Sequence, residues 1–255
     1  MGTVDGARAF QAVHEGAVYL HQGRQYRVHR LDLRDHLAIL EPNEDDEYTQ
    51  TREDVDLVIE QEEQSRLLGA ATVHLGAVSV TTTVTAYQRK QVSTGEVLEM
   101  VGLDLPPRRL ETRAVWYTVP DTVIAGLGLA PARVLGAVHA AEHGMIGMLP
   151  LFAICDRWDV GGLSTNLHPD TAMATIFIYD AYPGGAGIAD LAYECADRHA
   201  ATTLQLLSEC PCKAGCPSCV QSPKCGNWNE YLDKHAAIDL LEAVVSPRGA
   251  ASSSR

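Results

Sequence analysis

The sequence predicts an α+β fold, with an antiparallel β-rich, barrel-like N-terminal domain followed by a mixed α/β domain built around a four-cysteine site. Three observations predict it. Apolar residues alternate with period two up to about residue 118, the period turns helical beyond that point, and five of the seven cysteines crowd into residues 210–225. The expected boundaries are a β-rich connector at 1–118, the cysteine-bearing domain at 119–245 and a disordered tail at 246–255.

Taken in order, Ala17–Leu20 alternates between Gly16 and Gly23 as a first strand, and Tyr26, Val28 and, after a shift, Leu31 and Leu33 read as a second. Val78, Val80 and Val84 among Thr81, Thr82, Thr83 and Thr85 give a third, and Pro106-Pro107 and Pro120-Asp121 bracket a last one at Thr112–Thr118. After Pro131 the residues Val134, Leu135, Val138, Ala141, Met145 and Leu149 share one helical face, and Pro150 stops the run. Thr175–Tyr179 is a short apolar strand. It leads through Pro183-Gly184-Gly185-Ala186-Gly187 into a helix striped by Ile188, Leu191, Cys195 and Leu206. Asn227, with Glu230 three residues on, resembles an N-cap opening a final helix that carries Leu232, Ala236, Leu240 and Val244.

Twenty basic residues against 33 acidic ones give a net charge of −13, which argues against wrapping nucleic acid by bulk electrostatics. The charge is local. Residues 41–63 hold eleven acids against Arg52 alone, whereas residues 196–255 carry six of each sign, so any contact with DNA has to be local too. No apolar run reaches the roughly 18 residues a membrane span needs. The start, MGTVDG, lacks the basic and apolar parts of a signal peptide, and the expected location is cytoplasmic, without membrane contact. There is no GxxxxGK[ST] loop, GxSxG elbow or kinase signature, so the chain is not expected to hydrolyse ATP alone.

The run CPCKAGCPSCVQSPKC points to zinc, because four thiolates in tetrahedral array need a chain that turns back on itself, and Pro211, Gly215, Pro217 and Pro223 supply the turns. The preferred ligands are Cys210, Cys212, Cys216 and Cys219, with Cys225 the substitute for Cys210 or Cys212. A disulfide framework would need a secreted context; a redox pair at Cys216-Pro217-Ser218-Cys219 and an iron–sulfur cluster also compete for these cysteines, less well than zinc. A filled four-thiolate site leaves no position for water, so one structural zinc per chain is expected, and the second domain reads as a zinc-binding one. Cys155 and Cys195 read as packing residues.

Two further constellations carry chemistry. His139-Ala140-Ala141-Glu142-His143 matches HxxEH, in which two histidines on one helix face bind zinc and the glutamate acts as general base of a peptidase; the competing reading is a polar helix edge. Gly184, Gly185 and Gly187 let backbone N–H groups and a helix start face an anion such as a DNA phosphate, or else form a tight structural turn. Asp156, Asp159, Asp170 and Asp180 read as loop acids in preference to carboxylates of a Mg²⁺ nuclease.

Three pieces in order, HAAEHGMIGMLPLFAICDRWDVGGLST (139–165), FIYDAYPGGAGIADLAYE (177–194) and CPCKAGCPSCVQSPKCGNWNEYLDKHAAIDLL (210–241), resemble the C-terminal part of the mitomycin repair factor A family. These are bacterial superfamily II DEAD/DEAH-box DNA helicases whose terminal module is the MrfA zinc-binding (MZB) domain. EGAVYLHQG (15–23) is similar to the segment that follows their two RecA-like motor domains. The resemblance implies an ATP-driven translocase moving 3′ to 5′ on single-stranded DNA in repair, with zinc on Cys210, Cys212, Cys216 and Cys219. The motor domains, and with them ATP and Mg²⁺, are missing from this sequence, which is therefore read as a C-terminal fragment.

The expected partners are single-stranded DNA and the motor domains. Lys213, Lys224, Lys234, Asn227, Trp228 and Asn229 are the groups expected to grip a strand. Stacking of Trp228 on a base would add about 1–3 kcal/mol, and packing under the loop is its other reading. The alternative role is a docking or autoregulatory module, with residues 41–63 mimicking or excluding DNA; a third is the HxxEH metallopeptidase.

Overall fold

The computed structural model describes residues 2–6 and 8–246, so the expected tail lies, beyond Ser246, outside the described residues. The elements in chain order are α1 (Ala9–Ala12), β1 (Val18–His21), β2 (Arg24–Asp32), β3 (Leu37–Pro42), β4 (Glu47–Leu68), β5 (Ala71–Gln91), β6 (Val97–Gly102) and β7 (Arg108–Val119). There follow α2 (Asp121–Gly126), α3 (Pro131–Met148), a 3-10 turn (Leu149–Leu151), β8 (Val160–Thr165), β9 (Ala174–Asp180), α4 (Ile188–Glu194), α5 (Ala196–Glu209) and α6 (Lys234–Val245). The class is α+β with antiparallel pairing, as the periodicities predict. Two compact units form, one from the chain up to Asp54 with Thr82–Arg108, the other from Val55–Thr81 with the chain from Arg109 on; β4 and β5 run through both.

In the first unit, β1, β2 and β3 pair antiparallel in that order over Val13, Ala17 and Val28. The shift in alternation after Val28 is a bulge, where the β2–β3 register slips between Val28 and Arg30. Glu47 is the one acid of the 41–63 run that is buried, and it accepts from Arg27 and from Arg89 at 2.7 Å and 3.0 Å. Burial pushes its carboxyl up, but the two guanidiniums outweigh that and hold it below the usual range.

In the second unit the strand order is β4-β5-β7-β9-β8. Strand β9 is buried along its whole length, because both faces of the sheet are covered. Alternation sorts its neighbour: Ala114 and Trp116 of β7 join Leu57, Val78, Val80, Phe177 and Tyr179 on one face. Val115, Tyr117 and Val119 point the other way, to α3 and α6. Helix α3 runs between the prolines as predicted and is buried on almost every side from Val134 to Met145, with β8 and β9 on one flank and α5 and α6 on the other. The acidic run, unassigned from sequence, continues as β4, where Glu60 pairs with Arg109 (3.2 Å) and Glu63 with Arg113 (2.9 Å).

Two expectations need correction. The single helix expected over Ile188–Leu206 is broken at Cys195 into α4 and α5, and Leu191 is 45% exposed instead of packed. The final helix is capped by Asp233, whose carboxylate accepts from Ala236 N at 2.9 Å, and not by Asn227. The backbone explains this: Trp228, Asn229 and Tyr231 all have positive φ, so the segment after Asn227 winds as turns.

Close approach of α3 and α5 depends on Gly144, where an added Cβ would lie 2.9 Å from Leu207 Cδ1 and 3.0 Å from Thr203 Cγ2. Gly144→Val is expected to lower stability by about 1–3 kcal/mol through overpacking. Denaturant titration would show this, and an unchanged midpoint would mean that the helices have room to spare.

Candidate metal centre

The end of α5 fixes the first ligand, since Cys210 N donates to Leu206 O at 3.0 Å. The chain then doubles back through Gly215, whose φ of +113° no side chain favours and whose added Cβ would strike Val220. A tight turn follows in which Cys216 O accepts from the N–H groups of Cys219, Val220 and Gln221, at 3.0–3.1 Å, while Cys216 N donates to Cys219 Sγ at 3.3 Å. These turns bring the four predicted sulfurs together, all within 4.8 Å of one another. Cys210 to Cys212 and Cys210 to Cys216 are 3.6 Å, Cys212 to Cys219 is 3.5 Å and Cys216 to Cys219 is 3.8 Å. A tetrahedron with Zn–S bonds near 2.3 Å has edges of about 3.8 Å, so the donor set fits zinc in chemistry and in size.

Electrostatics point the same way. At Cys212 burial opposes ionisation, but hydrogen bonds from Cys219, Cys210 and Cys216 and from the backbone at Gly215 prevail and bring its thiol down to about 6. Burial, together with that first thiolate, pushes Cys219 up to about 12. A divalent cation at the centre removes the conflict between adjacent thiolates. Behind the cluster lies Lys234, buried at 4% exposure, its ammonium donating to Cys210 O (2.6 Å) and Cys212 O (2.8 Å) and lying 3.5 Å from Cys212 Sγ.

Cys225 lies in a different group, with His139 and His143 of α3, and the three ligand atoms are within 4.8 Å of one another. Its sulfur is 3.5 Å from His139 Nε2 and accepts from Asn229 N at 3.2 Å. His143 Nδ1 meets Val220 O at 2.6 Å, and burial, then the neighbouring His139, lowers its pKa to about 4. Glu142 is turned towards β8, where it accepts from Ser164 Oγ at 2.6 Å, and burial pushes its carboxyl up to about 7.

The residues expected at DNA have varied settings. Lys213 is exposed, whereas the Lys224 ammonium donates to Arg157 O (2.7 Å) and Val160 O (2.6 Å) and lies over the Trp158 ring. Asn229 is held by a two-way pair with the Ser222 backbone (2.7 Å and 2.9 Å), Asn227 Oδ1 lies 2.7 Å from Cys225 Sγ, and Trp228 is half-buried. Gly184, Gly185 and Gly187 do take positive φ, as a turn of that kind requires. The N–H groups beyond them are occupied by the fully buried Asp180, which accepts from Ala186, from Ile188 at 3.3 Å and from Ala189 at 2.8 Å. An internal carboxylate therefore already takes up these donors. Sequence reasoning missed this role of Asp180 and the backbone carbonyls that hold Lys224 and Lys234, because none of these carries a local signature.

A family model described as the MrfA Zn-binding domain matches residues 141–220, which contain all four sulfurs of the first cluster. The chain is 30% identical over 222 residues to the ATP-dependent helicase YprA of Bacillus subtilis, covering 86% of this chain and 29% of YprA. It is 43% identical over 114 residues to protein MJ1572.1 of Methanocaldococcus jannaschii, covering 43% of this chain and 100% of that protein. Among solved structures, DUF1998 helicase MrfA bound to DNA superposes with a TM-score of 0.62 at 26% identity, over 92% of this chain and 30% of that one. This chain thus spans less than a third of the length of either helicase. On the family match, the sequence identities and the shared fold together, the chain belongs to the MrfA-like helicase family and corresponds to its C-terminal region.

Proposed function

We propose that the chain is the zinc-binding accessory region of an ATP-dependent DNA helicase, with Cys210, Cys212, Cys216 and Cys219 holding one structural zinc and the region helping to engage single-stranded DNA. The observation that carries this reading is the likeness, over 92% of the chain, to a helicase crystallised with DNA. ATP and Mg²⁺ belong to RecA-like motor domains, which supply 3′ to 5′ movement in repair. Among the three lysines named for DNA, Lys213 is exposed while the ammoniums of Lys224 and Lys234 are held by backbone carbonyls, so it is the expected phosphate contact.

Fluorescence anisotropy with a labelled single-stranded oligonucleotide tests the DNA role. Binding is expected to weaken linearly in log–log against salt, and Lys213→Ala is expected to reduce that slope by about one phosphate contact. Absence of binding, or binding indifferent to salt, would defeat it. The internal engagement of Lys224 and Lys234 favours a second reading, a docking or regulatory module. In that case the chain would change the ATPase rate of the separate motor domains without touching DNA.

A further inference from the structure

We infer that His139, His143 and Cys225 form a second metal site, separate from the four-cysteine cluster, that takes a divalent zinc ion through two imidazole nitrogens and one thiolate. The inference is independent of the proposal above. It also lies outside the family match in part, since that match begins after His139 and ends before Cys225.

Spacing on α3 starts the argument: residues four apart lie one above the other on a helix, and the two rings are 4.4 Å apart, centroid to centroid. The loop after Val220 then returns Cys225 to them across 86 positions, so that one sulfur and two ring nitrogens fall within 4.8 Å of one another. The dimensions suit an ion. With Zn–N near 2.05 Å and Zn–S near 2.3 Å, a tetrahedral N–Zn–S angle separates the ligand atoms by about 3.6 Å. His139 Nε2 and Cys225 Sγ are 3.5 Å apart.

The surroundings are those that metal ligands require. A ligating imidazole gives its other N–H to a carbonyl, which fixes its tautomer and aims the free lone pair. His143 Nδ1 meets Val220 O at 2.6 Å, and the His139 ring hydrogen-bonds the backbone at Glu230 and Tyr231. A ligating thiolate is relieved by N–H donors, and Cys225 Sγ accepts from Asn229 N. All three residues are largely withdrawn from solvent, none more than 9% exposed. Two imidazoles and a thiolate select zinc among common divalent ions and leave a fourth position for an oxygen donor. The ion would clip α3 to the loop that leads into α6, the loop held in positive φ at Trp228, Asn229 and Tyr231.

Elemental analysis of the purified 255-residue chain tests this, together with X-ray absorption at the zinc edge. Two zincs per chain are expected, with nitrogen as well as sulfur in the mean coordination shell. Cys225→Ala and His139→Ala should each fall to one zinc with a sulfur-only shell, and Cys216→Ser should fall to one zinc whose shell is richer in nitrogen. One zinc in the wild type with sulfur alone around it would overturn the second site, whether or not the variants fold. A single zinc lost in Cys216→Ser and kept in Cys225→Ala would defeat this inference while leaving the four-cysteine reading intact; the reverse pattern would defeat only the latter.

Discussion

Cys216→Ser is expected to remove the zinc of the four-sulfur cluster and, with it, the ordered structure of residues 210–220. Cys216 closes the tight turn as well as the tetrahedron: its carbonyl accepts three N–H groups and its sulfur is within 3.8 Å of both Cys210 and Cys219. The segment has little else to hold it, since Cys219 and Val220 are the only residues of 210–220 that are buried. Structural zinc contributes about 10–16 kcal/mol of apparent binding free energy, comparable with the whole stability of a domain, so the loss cannot be absorbed locally. Metal content should drop by one per chain, proteases should cut between α5 and α6, and the melting transition should shift down or lose its cooperativity. A variant with unchanged melting and undiminished zinc would refute a structural metal there.

Asp180→Ala should be the next most damaging change. The carboxylate lies at the end of β9 with no exposed surface and accepts from the N–H group of Ala186 and from those of Ile188 and Ala189, two of the donors that a helix start leaves unpaired. Alanine strands the Ile188 and Ala189 N–H groups in the interior, at about 1–3 kcal/mol for each buried unsatisfied group, or on the order of 3 kcal/mol together, while the exposed Ala186 turns to water. Asp180→Asn keeps one oxygen acceptor and should lose about half as much. Urea denaturation reads both; a loss below about 1 kcal/mol for alanine would show that water reaches these groups.

Legibility from sequence followed the range of the forces concerned. Helix α3 lies between Pro131 and Pro150 and β9 is apolar from Ile176 to Tyr179, so both were readable within a window of residues, as was the shift in alternation after Val28. The four sulfurs could be chosen because turn-formers separate them at metal spacing. By contrast, the acids of β4 are balanced by Arg109 and Arg113, some fifty positions away, so a strand of 22 residues was hidden inside a charge run. The cap rule applied to Asn227 was satisfied locally and overruled by the positive φ values that follow, leaving Asp233 to do the capping. Lysines read as surface charge until the carbonyls of Arg157, Val160, Cys210 and Cys212 are placed beside them.

Lys234 has one more consequence. Four thiolates around a divalent ion make a dianion, and an ammonium of opposite sign lies against it in the interior, on the first turn of α6. Zinc is then more than a clasp on a loop: it stabilises the anion that makes an interior cation tolerable. Once the metal leaves, the Cys212 thiolate alone remains to face the ammonium while the other sulfurs take up protons, so the corner loses most of its negative charge and its hold on the lysine slackens. Metal occupancy would in this way be reported along α6, as a helix that seats or unseats at its N-terminal end.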